Sequence, residues 1–223
     1  MKYQGLIFDM DGTLIDSERP LHEAFNKAVL ELDLPQYLDT YLLSVGFRED
    51  LSTELLKTKL GEDYKKVCKL WYELISHDKE LVTLKTGVRP ALDFFTELKM
   101  PMAVATSSHT AQAEQRLAQA DIFKYFEIVV GGDEVERPKP FPDIYKRTAE
   151  LLKIKPKNCI AFEDSPVGTR SAIKSGCVTV QIPDLLPPDK EMLSLGHKVA
   201  PDIVSAISEL GFDISIYKKV HNG

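Results

Sequence analysis

The sequence predicts an α/β fold, a doubly wound parallel sheet with an inserted α-helical bundle domain. Two observations support this prediction. After Gly87, short apolar runs alternate with amphipathic helical patterns, which is typical of parallel strands connected by helices. Before that point, a strand-like run over residues 3–9 is followed by a wholly helical block over residues 18–84. Because a strand precedes this block and further strands follow it, we expect the block to be an insertion in the α/β domain.

The individual elements follow from hydrophobic spacing. Within the helical block, apolar stripes recur at three- and four-residue intervals, which predicts four helices; these stripes span residues 21–32, 37–45, 51–56 and 67–75. After the block, strands are predicted near 102–106, 126–130, 159–162 and 178–182, and helices near 88–98, 109–120, 142–152 and 167–175. We therefore expect a discontinuous α/β domain, residues 1–17 and 86–223, and a helical domain, residues 18–85.

Composition and charge narrow the class of protein. Of 223 residues, 43% are hydrophobic and 28% are charged, as in globular rather than disordered chains. The net charge of −6 argues against a nucleic-acid partner, since phosphate backbones attract basic surfaces. No apolar run approaches the ~20 residues that span a bilayer, and the N-terminal run does not resemble a signal peptide. The three cysteines, Cys68, Cys159 and Cys177, are expected to be reduced thiols of a cytoplasmic protein.

The first strand ends on two carboxylates, Asp9 and Asp11, which are followed by Gly12. A parallel strand delivers its last side chains to the carboxyl edge of the sheet, where open α/β folds bind ligands. Two acidic groups at such an edge repel each other unless a cation compensates, which indicates a divalent metal, a positioned nucleophile or both. An Asp-Gly pair after apolar residues is also typical of an ordinary β-turn, so this motif alone leaves both interpretations open.

Three further polar clusters end or follow later strands. Thr106 and Ser107 precede a predicted helix, where they could bind phosphate or simply cap the helix. Lys139 lies among three prolines that stiffen its loop, either to place its ammonium in a site or to form a rigid surface turn. Glu163 and Asp164 close another strand, where carboxylates bind Mg²⁺ or favour the start of a helix. Each cluster by itself leaves its alternative open.

Taken together, the four clusters resemble the motif set of the haloacid dehalogenase superfamily over residues 3–182. Asp9, Asp11 and Thr13 match the Asp-x-Asp-x-Thr opening of its phosphatases. The helical insertion resembles the cap domain of the β-phosphoglucomutase-like branch, and two segments strengthen that placement, residues 44–50 and 139–145. The resemblance implies a Rossmann-like core domain beneath a helical cap.

The resemblance also implies a mechanism and a cofactor. Asp9 would be the nucleophile that forms an aspartyl-phosphate, and Asp11 would be the general acid and base. Mg²⁺ would be bound by Asp9, the main-chain carbonyl of Asp11 and Asp164. Glu163 would hold a metal-bound water from the second shell of ligands.

By the same resemblance, the phosphoryl oxygens would be bound by Thr106, the N–H group of Ser107 and Lys139. A carboxylic acid at Asp11 indicates phosphate-ester chemistry, because the dehalogenases and phosphonatases of the family lack one there. We therefore expect a Mg²⁺-dependent phosphatase acting on a small phosphorylated metabolite such as a sugar phosphate. The alternatives are a β-phosphoglucomutase-type isomerase and, from another class, a non-catalytic binding protein on the same fold.

Specificity is expected to come from the cap. Arg48 could reach a distal anion of the substrate and His109 could contact the substrate, although both also suit solvated surface positions. His22 lies one position after the place of a cap histidine in the mutase, and Leu21 takes that place without a gap, which argues against mutase activity. We expect a monomer or weak dimer whose partner is a small phosphate ester, with no nucleic-acid or membrane partner.

Overall fold

The centre of the fold is a six-stranded parallel sheet. The structure, a computed structural model, describes residues 2–76 and 82–215. The spatial order of the strands is β3-β2-β1-β4-β5-β6, and their bounds are β1 (Gly5–Phe8), β2 (Met102–Ala105), β3 (Ile128–Val130), β4 (Cys159–Glu163), β5 (Val178–Gln181) and β6 (Lys198–Val199). The predicted α/β fold is confirmed. The apolar pattern does not predict β6, which has only two residues at the edge of the sheet.

Strand β1 lies between β2 and β4, with Leu6 opposite both Met102 and Ile160. All four of its residues are buried, as expected for a parallel strand covered on both faces, which explains its continuous apolar run. Strands β2 and β3 lie on one side of β1, and β4, β5 and β6 lie on the other. The carboxyl end of β1 is therefore a topological switch point, where folds of this type bind ligands.

Helices cover both faces of the sheet. Leu6 and Phe8 belong to one apolar cluster and Ile7 belongs to the other, as the two-residue repeat of a strand requires. The first cluster includes residues of α4 (Val88–Glu97), α5 (Thr110–Gln119) and α9 (Ile203–Glu209). The second includes residues of α6 (Asp143–Leu151) and α7 (Pro166–Ser175), and a short helix, α8 (Lys190–Leu193), follows β5. Across the described parts of the chain, no helix combines the length and apolar character needed to cross a bilayer.

A separate helical unit follows β1 and contains α1 (Glu18–Glu31), α2 (Glu49–Leu60) and α3 (Tyr64–Ile75). Its apolar stripes meet in a third cluster, where Phe25, Tyr41 and Trp71 are in ring contact. The prediction of an α-helix over residues 37–45 is wrong, because this region forms two 3₁₀ segments, Pro35–Tyr37 and Thr40–Ser44. Asp39 between them has a φ of 59°, a left-handed conformation that interrupts an α-helix.

The two linkers between core and helical unit run side by side. The N–H of Asp16 donates to the carbonyl of Thr83 (2.8 Å), and the N–H of Lys85 donates to the carbonyl of Leu14 (3.0 Å). The chain can leave the sheet and return to it at the same place if the two ends of the insertion lie close together. These two hydrogen bonds keep the ends together. We propose the predicted limits, residues 18–85, as those of the cap domain.

Candidate active site

The carboxyl end of β1 carries the first pair of carboxylates. Asp9 is buried and continues the pairing with β4, because its N–H donates to the carbonyl of Phe162 (2.9 Å). Asp11 is more open, with 18% of its side chain exposed. Gly12 turns the chain with a φ of 81°, and a β-carbon on it would lie 2.4 Å from Oδ2 of Asp164. A glycine is therefore needed to bring the two acidic segments this close.

Lys139 connects carboxylates from β1 and β4. Its Nζ lies 2.5 Å from Oδ1 of Asp9 and 2.6 Å from Oε1 of Glu163, and it donates to the carbonyl of Ala105 (3.1 Å). Burial by itself would lower the pKa of Lys139, but the attraction of the two carboxylates outweighs it and raises that pKa. Lys139 is thus a permanent, buried positive charge at the switch point of the sheet.

Asp9, Glu163 and Asp164 form a buried acidic cluster in which one oxygen of each lies within 4.8 Å of the others. Burial is the main cause that raises the pKa of Asp9 and of Asp164 well above the usual range. The ammonium of Lys139 opposes this shift at Asp9, whereas repulsion between the carboxylates adds to it at both residues. Carboxylates that resist ionisation in this way gain from a bound cation. Because hard oxygen ligands suit Mg²⁺, the donor set of the acidic cluster fits a magnesium ion.

Glu163 is held by three protein partners. Its Oε1 accepts hydrogen bonds from Lys139 and from the hydroxyl of Tyr145 (2.7 Å), and its Oε2 accepts from the N–H and hydroxyl of Ser165 (3.3 and 3.2 Å). A β-carbon on Gly168 would lie 1.8 Å from Oε1, so the helix that follows also encloses this carboxylate. Since both of its oxygens accept from protein donors, the other two members of the acidic cluster are better placed to coordinate a metal directly.

Asp11 is surrounded by donors that the sequence does not single out. The hydroxyls of Ser17 and Ser108 donate to its two oxygens (2.6 and 3.0 Å), and Nη1 of Arg116 lies 2.6 Å from Oδ1. Ser17 precedes the first cap helix, whereas the other two donors belong to the core. These residue types are common near helix starts and on helix surfaces, so no local signal in the sequence indicates their contact with Asp11.

The two predicted phosphate ligands after β2 lie at the same edge of the sheet as Asp9. Thr106 is buried, and its hydroxyl accepts from the N–H of Ser108 (3.1 Å). The hydroxyl of Ser107 donates to the carbonyl of Gly46 in the cap (2.9 Å). The loop therefore lies at the carboxyl edge of the sheet and forms part of the contact between core and cap.

A cavity of about 230 Å³ lies between core and cap. Its core wall contains Asp9, Asp11, Thr106, Ser107, Ser108, Gln112 and Arg116. Its cap wall contains two acids, Glu18 and Glu49, and five aromatic residues, Tyr41, Phe47, Tyr64, Trp71 and Tyr72. No motif in the sequence indicates Glu18, which accepts a hydrogen bond from the hydroxyl of Tyr41 (2.6 Å). Burial, followed by the nearby charge of Asp11, raises the pKa of Glu18 to about 7.

Arg48 and His109 do not line this cavity. Both guanidinium edges of Arg48 are engaged, because Nε and Nη2 donate to Asp50 (2.9 and 2.8 Å) and Nη1 donates to the carbonyl of Gly132 in the core (3.3 Å). His109 is exposed, with Nδ1 3.7 Å from Asp133. Both residues lie instead at a neighbouring surface depression, which shares Glu49 and Thr53 with the cavity. In this conformation Arg48 contributes to the contact between cap and core.

The position of His22 bears on the choice between phosphatase and mutase. Leu21 lines the cavity, whereas the ring of His22 lies 2.8 Å from Asp39 and 2.9 Å from Asn26 within the cap. The part of the cavity wall formed by described residues therefore contains no histidine. Leucine cannot exchange a proton with a bound sugar.

Comparison with known protein families identifies the group to which this architecture belongs. The family model of haloacid dehalogenase-like hydrolases matches residues 6–182, a range that includes all four polar clusters. The chain belongs to the haloacid dehalogenase-like hydrolases. This confirms the membership that the motifs predicted.

Several haloacid dehalogenase-like proteins are similar over most of the chain. A phosphorylated carbohydrates phosphatase from Thermotoga maritima is 33% identical over 186 residues, 78% of this chain and 82% of that protein. A fructose-1-phosphate phosphatase from Escherichia coli is 30% identical over 183 residues, with coverages of 81% and 97%. The crystal structure of a putative beta-phosphoglucomutase from Thermotoga maritima is 29% identical and has a TM-score of 0.71, with coverages of 94% and 100%. The predicted enzyme class, a haloacid dehalogenase-like phosphatase, is confirmed.

Proposed function

We propose that this haloacid dehalogenase-like enzyme is a Mg²⁺-dependent phosphatase that hydrolyses a small phosphorylated metabolite, a sugar phosphate, through an aspartyl-phosphate on Asp9. The observation that carries the proposal is the contact of Asp9 with Lys139, both of them buried, at the cavity that Asp11 and Thr106 line. The names of two relatives, which refer to phosphorylated carbohydrates and to fructose 1-phosphate, support the substrate class.

The acidic cluster supports magnesium as the cofactor. Asp9 and Asp164, together with the main-chain carbonyl of Asp11, would hold the ion. When bound, Mg²⁺ offsets the repulsion between the phosphate and the carboxylate that must attack it. Glu163 has a positioning role in this proposal, because it fixes the ammonium of Lys139 beside Asp9.

Two displacements at phosphorus make up the reaction. A carboxylate oxygen of Asp9 forms a bond to phosphorus while the bond to the leaving oxygen breaks, and Asp11 protonates that oxygen. Water then forms a bond to phosphorus, Asp11 takes its proton, and the bond to Asp9 breaks, which releases inorganic phosphate. Lys139, Thr106 and the N–H group of Ser107 would bind the phosphoryl oxygens as charge spreads over them.

A β-phosphoglucomutase-type isomerase is the second candidate, and it is favoured by the likeness to the putative beta-phosphoglucomutase structure. Leu21, rather than a histidine, at the cavity wall argues against it. The two functions differ in whether free phosphate appears and in whether a bisphosphate primer is required.

Phosphate release from a panel of phosphorylated sugars and small acids, with Mg²⁺ and with EDTA, tests the proposal. We expect release that depends on the metal and that falls by at least ~10³-fold in Asp9→Asn. Asp121→Asn, which changes an exposed aspartate away from the cavity, serves as the control. Full activity in Asp9→Asn would refute the assigned nucleophile. If no ester releases phosphate, conversion of β-glucose 1-phosphate with a bisphosphate primer would support the mutase, and inactivity there too would support a binding protein.

A further inference from the structure

The two walls of the cavity differ in charge. Among the described residues of the cap, the charged ones that line the cavity are Glu18 and Glu49, and both are acidic. The cation on the core wall is Arg116, whose Nη1 lies 2.6 Å from Oδ1 of Asp11. The ammonium of Lys139 contacts two members of the acidic cluster. A leaving group that extends from the phosphate toward the cap therefore enters a region of negative charge, which repels a second anionic group.

The polar groups of the cap wall suit hydroxyl groups. The carboxyl group of Glu18 accepts from the hydroxyl of Tyr41 through Oε2 (2.6 Å), and a carboxylate has about four acceptor sites. Ser44, Ser52 and Thr53 lie in the same wall, and each hydroxyl can both donate and accept. A polyol offers matching donors and acceptors without carrying a charge.

The remainder of the cap wall is aromatic. Trp71 stacks on Tyr72 with ring centroids 5.2 Å apart and meets Tyr41 edge to face at 5.4 Å. The indole N–H of Trp71 donates to the carbonyl of Leu21 (3.0 Å), which fixes the ring. Aromatic faces carry partial negative charge, so they attract the C–H groups of a carbohydrate and disfavour an anion. The volume of about 230 Å³ is below the ~300–1,000 Å³ of typical drug-sized sites, which favours a small leaving group.

We propose that the cap selects a monophosphate whose leaving group is an uncharged polyol and rejects one that carries a second anionic group. Glu18 and Glu49 make this choice by accepting hydroxyl donors, and the exposed carboxylate of Glu49, joined by Glu18 in its ionised form, repels anions. The inference rests on the proposed phosphatase function and narrows its substrate class.

Matched pairs of substrates test this inference. D-glucitol 6-phosphate and 6-phospho-D-gluconate share a carbon chain and differ by a terminal CH₂OH or carboxylate group; glycerol 1-phosphate and 3-phosphoglycerate form a shorter pair. For the pair that the enzyme accepts better, we expect the kcat/KM of the uncharged member to be at least about ten times that of the charged member. In the double variant Glu18→Gln/Glu49→Gln this ratio should fall at least about threefold. Glu54→Gln, an exposed acid on the same helix as Glu49 but outside the lining, should keep the wild-type ratio.

The outcomes separate this inference from the function on which it rests. A wild-type ratio of one or less, with phosphate still released from p-nitrophenyl phosphate, overturns the inference and leaves the phosphatase standing. A ratio that is the same in the double variant and the wild type overturns the role of the two glutamates. Failure to release phosphate from any ester, p-nitrophenyl phosphate included, overturns the phosphatase itself.

Discussion

Replacing Glu18 by glutamine should stabilise the protein at alkaline pH and leave its stability almost unchanged in acid. The pKa of Glu18 is raised from its ordinary value of 4.5 to about 7, mainly by burial and then by the charge of Asp11. The folded state therefore binds this proton more tightly than the unfolded state does. It follows that the contribution of Glu18 to folding stability falls as the pH rises from about 4.5 to about 7.

The magnitude of this loss follows from the two pKa values. At ~1.36 kcal/mol for each pKa unit, it amounts to about 3 kcal/mol once the pH is above 7. Glutamine is neutral at every pH and keeps an oxygen that can accept from the hydroxyl of Tyr41. Glu18→Gln should therefore raise the free energy of unfolding by up to about 3 kcal/mol near pH 8, and by little near pH 5.

Urea unfolding at these two pH values, in EDTA, measures the effect for wild type and variant. Other groups titrate alike in both proteins, so their contributions cancel in the difference. Glu49→Gln, at an exposed acid of the same cavity, is the matched control, and we expect less than about 0.5 kcal/mol of change at either pH. A Glu18→Gln difference that is the same at pH 5 and pH 8 would show that Glu18 is not the buried acid of raised pKa that the structure describes.

Three further predictions concern the acidic cluster and its neighbours Lys139 and Asp11. Lys139→Met should lower the free energy of unfolding at pH 8 by about 3–5 kcal/mol, because it leaves Asp9 and Glu163 buried without their cation. Urea unfolding measures this change, with Lys146→Met at an exposed lysine as the control. A change no larger than that of the control would contradict the prediction. Mg²⁺ at about 100 times its dissociation constant should stabilise the protein by ~2.7 kcal/mol, seen as a higher Tm. Because the ion competes with protons on acids of raised pKa, the increase should be larger at pH 8 than near pH 5.5. Asp11→Asn, which keeps its main-chain carbonyl, should retain the increase while losing most activity, and loss of the increase there would show that the side chain of Asp11 takes part in holding the ion.

The strands of the core could be predicted because buried parallel strands must be apolar throughout, and the run before Asp9 is a clear example. The segment over residues 37–45 could not, because its apolar spacing fits an α-helix and the interruption at Asp39 depends on a backbone conformation that the spacing does not record. Hydrophobic periodicity thus predicts which face of a segment is buried more reliably than it predicts the type of helix.

The polar clusters at the strand ends were also accessible from the sequence. Parallel strands end at one edge of a sheet, so Asp9 and Lys139 can be expected to approach each other although 130 positions separate them. The environment of Asp11 was not accessible in this way. Arg116 has the pattern of an ordinary surface residue on an amphipathic helix, and only the packing of that helix places it against the carboxylate.

The sequence by itself determined the order of β1–β5 and of the core helices α4–α7, the place of the helical unit between β1 and β2, and the types of polar residue at the carboxyl edge of the sheet. These features follow from local periodicity and from the direction of parallel strands. Only the tertiary structure decided which cap residues face the cavity. That choice depends on how the cap rests on the core, through contacts such as Ser107 with Gly46 and Arg48 with Gly132. Because these contacts join segments far apart in the chain, the sequence leaves Arg48 open as a substrate ligand or a solvated surface residue, and it does not single out Glu18, which the packing places at the cavity.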